Sequence, residues 1–240
     1  MEYNSIRLLV PTRGRVRNLE RFIKSFKENA DHWHLRVFLT FLIDSDDNET
    51  MSYLKGLELR DYPNNRVIVR SAGKPHLGKF FNMMYNQESG RDKDVLVSML
   101  GDDMVCHTKG WDTKILEAMN KNHGMGIVHC RDGIQNGRIA VNFFTTQKWI
   151  EMTGLPFMPE NWAADYIDVY HTELARRSGF EAYLDDVFVE HDHSSLRPPE
   201  QWDQTFKNLR AEWDGQDARE IMEGLLSKAM HNISGYLGQL

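Results

Sequence analysis

Continuous apolar runs alternate with amphipathic stretches through the first 120 residues. SIRLLVP (5–11) reads as a buried strand stopped by Pro11. RNLERFIKSFKEN (17–29) follows, with Leu19, Phe22, Ile23 and Phe26 at i, i+3, i+4 and i+7, which predicts an amphipathic helix. LRVFLTFLI (35–43) is a second strand ended by the acidic run DSDDNE, and ETMSYLKGLEL (49–59) a weaker helix. RVIVR (66–70) is a third strand. HLGKFFNMMYNQ (76–87) carries Leu77, Phe80, Phe81 and Met84 on one helical face, and DVLVSML (94–100) is a fourth strand. Such alternation predicts an α/β fold, a mostly parallel sheet with helices on both sides.

The pattern loosens beyond residue 120. GWDTKILEAMNKN (110–122) reads as a helix, MGIVHC (125–130) and RIAVNFFTT (138–146) as strands, and TQKWIEMTG (146–154) as a short helix ending at Gly154. ADYIDVYHTELARRSGF (164–180) is a helix closed by Gly179, and EAYLDDVFVEHDH (181–193) a last strand. The tail holds two amphipathic segments, one around Trp202, Leu209 and Trp213 and one around Ile221 and Leu225. No repeat or linker interrupts the chain. The expected organisation is residues 1–195 as the α/β unit and 196–240 as a helical extension of the same domain.

Composition narrows the classes. A 240-residue chain with 41% hydrophobic and 27% charged residues has enough apolar material for a large core. It contains no 18-residue apolar run, so no membrane span is expected. The amino-terminal stretch enters a strand directly, without the basic and apolar segments of a signal peptide, and the expected location is cytoplasmic. Cys106 and Cys130 lack metal-type spacing and fit free thiols. The net charge of −6 divides unevenly: residues 1–90 hold 14 Lys/Arg against 11 Asp/Glu, and residues 91–240 hold 15 against 24. A global nucleic-acid signature is absent, while the basic first half suits a phosphate-bearing ligand.

In an open parallel sheet, ligands bind beyond the carboxyl ends of the strands. Pro11-Thr12-Arg13-Gly14-Arg15 follows the first strand, Asp44-Ser45-Asp46-Asp47 the second, and Gly101-Asp102-Asp103 the fourth. Cations, hydroxyls and carboxylates converging on one edge suit a metal ion that bridges to an anionic ligand. Neither GxxxxGK[ST] nor GxGxxG occurs after the first strand, which excludes P-loop and dinucleotide chemistry.

The strand ending VPTRGR, the second ending LIDSDD, and LGDDM followed by GWD together resemble the GT-A glycosyltransferases, with family 2-like members nearest. RIAVNFFTTQKWIEMTG resembles the acceptor-side segment of that fold, ADYIDVYHTELARRSGF the helix bearing the general base, and VFVEHDHSS the late strand whose His completes the metal site. The resemblance covers roughly residues 5 to 195. It implies an inverting transferase using a nucleotide-sugar, of UDP type, with Mn²⁺ or Mg²⁺. Gly101 stands where a strict DxD motif has its first Asp, so Asp103 is the implied metal ligand and Asp102 a ribose or supporting group. Pro11, Thr12, Arg13, Asp44 and Lys79 are the implied nucleotide contacts, with Asp44 accepting from a uracil N3–H. His191 and His193, two apart on an extended chain, share a face, and either is an implied metal ligand. Asp165 and Asp168, three apart on a helix, both stand as the implied base. The layout also resembles bacteriophage-encoded glycosyltransferases, some of which modify hydroxymethylated DNA bases, so the acceptor alternatives are a glycan and hydroxymethylated DNA.

Plainer roles compete at each position. Asp102 and Asp103 fit a solvated turn, the Asp44–Asp47 cluster a capped loop, and Asp165 a helix cap. Arg13, Arg15, Lys74 and Lys79 fit surface charges, with Arg13 and Lys79 the stronger diphosphate candidates. Trp111 and Trp162 fit core or loop anchors, although Trp162 also suits stacking on an acceptor ring. A nucleotidyltransferase and a non-catalytic sugar-nucleotide or DNA-binding module are the alternatives to transfer.

Overall fold

A computed structural model describes residues 2–58, 65–74, 76–88, 94–160, 166–204, 206–207 and 218–238. Eight strands form one sheet: β1 (Ser5–Pro11), β2 (Val37–Asp44), β3 (Arg66–Arg70), β4 (Val95–Met99), β5 (Met104–Cys106), β6 (Ile127–Arg131), β7 (Phe143–Thr146) and β8 (Glu181–His191). The helices are α1 (Val16–Asn29), a single turn α2 (Trp33–Arg36), α3 (Asn48–Glu58), α4 (Leu77–Glu88), α5 (Trp111–Lys121), α6 (Gln147–Thr153), α7 (Ile167–Ser178) and α8 (Ala218–Leu237).

The spatial order is β3-β2-β1-β4-β7-β6-β8-β5. β3, β2, β1 and β4 are mutually parallel, β7 runs antiparallel to both β4 and β6, β6 and β8 are parallel, and β5 is antiparallel to β8. Strands β1 to β4, β6 and β8 therefore point the same way, and β5 and β7 oppose them. Successive side chains of β1 face opposite sides of the sheet. Ile6, Leu8 and Val10 pack with α1 and α5, while Leu9 packs with α4, α6 and α7. Met222, Leu226, Ala229 and Ile233 of α8 bury their apolar stripe in that second layer.

The GWD stretch has a fastening role. Trp111 donates from Nε1 to the Phe26 carbonyl at 2.9 Å, and the fully buried Asp112 accepts from the backbone N–H groups of Asp31 and His32. The α1–α2 connection is thereby tied to α5. Cys106 and Cys130 are buried free thiols.

Two sequence expectations change. The strand expected over 138–146 is confined to Phe143–Thr146. Ala140 N–H donates instead to Thr172 Oγ1 at 2.8 Å, and the Asn142 side chain, through Oδ1, accepts from Cys130 N–H of β6 at 2.9 Å, so side-chain bonds replace a backbone ladder there. The last strand stops at His191, where Ser194–Leu196 begins a 3₁₀ turn. Trp162, Asp165, Leu209 and Trp213 lie outside the described residues. Among the described residues, no helix is long and apolar enough to cross a membrane.

Candidate active site

The loops after β1, β2 and β4 are bound to one another. Thr12 Oγ1 donates to Asp102 Oδ2 at 2.6 Å, and Gly14 N–H donates to Asp47 Oδ2 at 2.7 Å. Asp47 also accepts from Thr50 N–H at 3.2 Å, so it caps the start of α3 and fixes the first loop at once. Together with α4 and the start of α7 these loops surround a cavity of about 650 Å³. Pro11, Thr12, Arg13, Asp44, Asp102, Asp103, Asp168, His191 and His193 all line it. Lys79 does not; it stands exposed on α4.

At one end Asp44 is 3% exposed and held between two guanidinium groups. Arg13 Nη1 donates to its Oδ2 and Arg70 Nε reaches its Oδ1 at 2.5 Å. Arg13 spans onward to Asp46 with bonds of 2.7 and 2.8 Å, and Arg70 stacks on the Phe80 ring at 4.1 Å. The parallel register explains the pairing, because Asp44 and Arg70 are partners at the ends of β2 and β3. Arg70 escaped the sequence reading, although the strand-end rule applied to β3 as it was to β2 would find it.

The middle of the cavity holds the carboxylate pair. Asp102 is 3% exposed, accepts from Thr12, and receives Arg15 Nη1 at 3.0 Å. Burial pushes its carboxyl up to about 6; Arg15 opposes that rise and the adjacent Asp103 adds to it. Arg15 also lies 4.0 Å from Asp103 and binds Asp203 of the carboxy-terminal segment at 2.8 Å. Arg15, rather than Lys79, is the cation beside the pair. A Cβ at Gly101 would stand 2.4 Å from Asp103 Oδ1, so a larger residue there would turn the Asp103 carboxylate aside.

Sheet pairing delivers the histidines. Met104 of β5 pairs with His191 of β8, and Asp192 N–H donates to the Asp103 carbonyl at 3.0 Å. His191 Nε2 thus lies 3.6 Å from Asp103 Oδ1. His193 shares the cavity, but its Nδ1 contacts Ser195 Oγ at 2.5 Å and its ring meets Phe206 edge-on. A divalent ion with ligands at about 2.1 Å needs donor atoms roughly 3 Å apart. Asp103 and His191 come near that spacing and fit two ligand positions. Among the described residues no third His, Cys, Asp or Glu joins them. Two such donors would hold a divalent ion only together with further oxygen ligands.

The far wall is formed by Ile139, Val141 and the first turn of α7. Tyr166, at φ 71°, is the residue before that helix and holds a backbone region costly for a bulky side chain. Asp168 lies in the first turn and faces the cavity.

No family model matches this sequence, and no curated protein matches it. Solved structures do. A complex of S. aureus TarS residues 1–349 with UDP aligns with a TM-score of 0.61 at 12% identity, over 94% of this chain and 70% of that one. The mannosyltransferase PcManGT from Pyrobaculum calidifontis, in complex with GDP-Man and Mn²⁺, aligns with a TM-score of 0.58 at 13% identity, over 99% and 76%. GalNAc-T7 with UDP, GalNAc and Mn²⁺ aligns with a TM-score of 0.59 at 9% identity, over 79% and 44%. The chain spans 43% of the longer TarS structure. The sheet order, the strand-end site and these alignments together establish that the chain has the GT-A fold of glycosyltransferases.

Proposed function

We propose that this chain is a metal-dependent glycosyltransferase that moves a sugar from a UDP-type nucleotide-sugar to an acceptor hydroxyl with inversion. The carrying observation is that Asp44, the Asp103–His191 pair and Asp168 line one cavity, in the order base, diphosphate and acceptor would take across the sheet edge. Solved relatives in fold that hold UDP, UDP-GlcNAc or GDP-Man, two of them with Mn²⁺, support the same reading.

In this reading Asp44, held between Arg13 and Arg70, accepts from the uracil N3–H. Pro11 and Thr12 line the nucleotide path. Asp103 and His191 would hold the divalent cation, a mixed oxygen and imidazole set that favours Mn²⁺. When bound, the ion would supply charge neutralisation on the diphosphate. Arg15 adds positive charge beside the same carboxylates. Asp168 takes the acceptor proton, the acceptor oxygen bonds to the anomeric carbon, and the bond to the diphosphate breaks with its electrons leaving on phosphate. Asp165 is the second candidate for that proton and lies outside the described residues.

Incubation with UDP-, GDP- and CDP-linked sugars plus Mn²⁺, followed by mass spectrometry, tests the reading. UDP should be the released product, and transfer should be found within a panel holding glycans, hydroxymethylated DNA and small-molecule alcohols. Release of pyrophosphate would instead indicate a nucleotidyltransferase, and binding without turnover on any acceptor a binding module.

A further inference from the structure

The charged groups lining the cavity are concentrated at β1 to β4, where Leu42, Leu77, Phe80 and Phe81 line it as well. The end at β1 to β4 presents Arg13, Asp44, Arg70, Thr12, Arg15 and the Asp102–Asp103 pair. Past Asp103 and the histidines, toward β7 and α7, the polar groups thin out. The wall there is Met99, Ile139, Val141, Tyr166, Ile167 and Val169, and among the described lining residues Asp168 is its only charged group. Met99, Ile139, Val141 and Val169 are half-buried and line the cavity.

The wall is built rather than incidental. Ile139 and Val141 are two apart and both face the cavity, while Ala140 between them is fully buried on the other side. Ala140 N–H donates to Thr172 Oγ1 at 2.8 Å, and that hydroxyl donates to the Asp168 carbonyl at 2.7 Å. The apolar pair is therefore fastened to the turn of α7 that carries the carboxylate. A saccharide set against this wall would leave ring hydroxyls without partners, at about 1–3 kcal/mol for each one buried unpaired. An apolar body would instead remove aliphatic surface from water.

We infer that the acceptor carries its hydroxyl on an apolar body, an aromatic or alkyl alcohol, and is not a saccharide. This inference rests on the glycosyltransferase reading for its chemistry, while the wall itself is independent of the donor. The hydroxyl lies toward Asp168 and the apolar body against Ile139, Val141 and Val169. Transfer makes the acceptor O–C1 bond, breaks the C1–O bond to the diphosphate, and passes the hydroxyl proton to the carboxylate.

Saturation-transfer NMR compares 4-nitrobenzyl alcohol with methyl β-glucoside, with and without UDP and Mn²⁺, and transfer from UDP-glucose and UDP-GlcNAc is then measured for both. The alcohol should bind at least about tenfold more tightly and be the better acceptor by a similar factor in kcat/KM. Val141→Thr, nearly isosteric, and Ile139→Asn should each cut alcohol binding by about tenfold, with UDP affinity and thermal midpoint unchanged. Tighter binding of the glucoside, or Val141→Thr and Ile139→Asn variants that fold normally and bind the alcohol like the parent, overturns the inference even when UDP binds. Alcohol binding that survives while UDP fails to bind refutes the donor reading and leaves the apolar wall standing.

Discussion

Asp102 and Asp103 are adjacent, yet they do different work. Asp102 is locked by Thr12 and Arg15, whereas Asp103 turns toward His191. Asp103→Ala should abolish the Mn²⁺ dependence of UDP binding, measured by calorimetry, because it removes one of the two protein ligands. Asp168→Asn should lower turnover by about 10²–10⁴-fold with unchanged UDP affinity, the signature of a base that acts on the acceptor. Near-parental turnover of that variant would transfer the role to Asp165. The Asp102 carboxyl, raised to about 6, adds a pH dependence. Below that pH it is protonated and the site carries one negative charge fewer, so Mn²⁺–UDP affinity should fall by up to about tenfold per pH unit as the pH drops. Asp102→Asn should flatten this profile, and an unchanged profile would assign it to another group. The pair was legible in the sequence because carboxylates directly after an apolar strand stand out. Arg70 was hidden, since its guanidinium matters only once β3 is known to register with β2. Sequence alone favours Lys79 over Arg15 beside a diphosphate, and only the three-dimensional path of the first loop brings Arg15 to the carboxylate pair.

At the scale of elements, helices and parallel strands were readable from their periods, but strand direction and pairing were not. β7 lies antiparallel between β4 and β6, and no local pattern in Phe143–Thr146 encodes that. The alternation in Arg138–Asn142 mimics a strand; Ile139 and Val141 line a cavity, Ala140 N–H donates to Thr172, and the Asn142 side chain accepts from Cys130 N–H. Close approach between elements also leaves a single-residue trace. Gly126, at φ 76°, precedes β6, and a Cβ there would lie 1.7 Å from the Phe180 carbonyl oxygen of the α7–β8 connection. Gly179, at φ 77°, ends α7 with nothing within 4 Å of its Cβ position. Gly179→Ala should cost about 1–2 kcal/mol from backbone strain alone. Gly126→Ala adds a backbone clash to the same strain and should lower the thermal midpoint at least twice as far. Equal midpoints for the two variants would show that β6 and the α7–β8 connection separate at little cost.

Across the whole molecule, sequence position and spatial position diverge at the site. Its groups come from residues 11–15, 44, 70, 102–103, 168 and 191–193, gathered by a sheet order in which β4 lies beside β1 and β5 beside β8. The order of motifs along the chain announced the GT-A fold, since each lies at a strand end. It could not announce the apolar wall or the Arg15–Asp203 contact, which join segments remote in sequence. The most direct test of the account is calorimetric titration of UDP into the protein with Mn²⁺, with EDTA, and with Mn²⁺ and Asp103→Ala. Binding is expected in the first case and a loss of at least about tenfold in affinity in the other two. Equal affinity in all three, or no UDP binding in the presence of Mn²⁺, would contradict it.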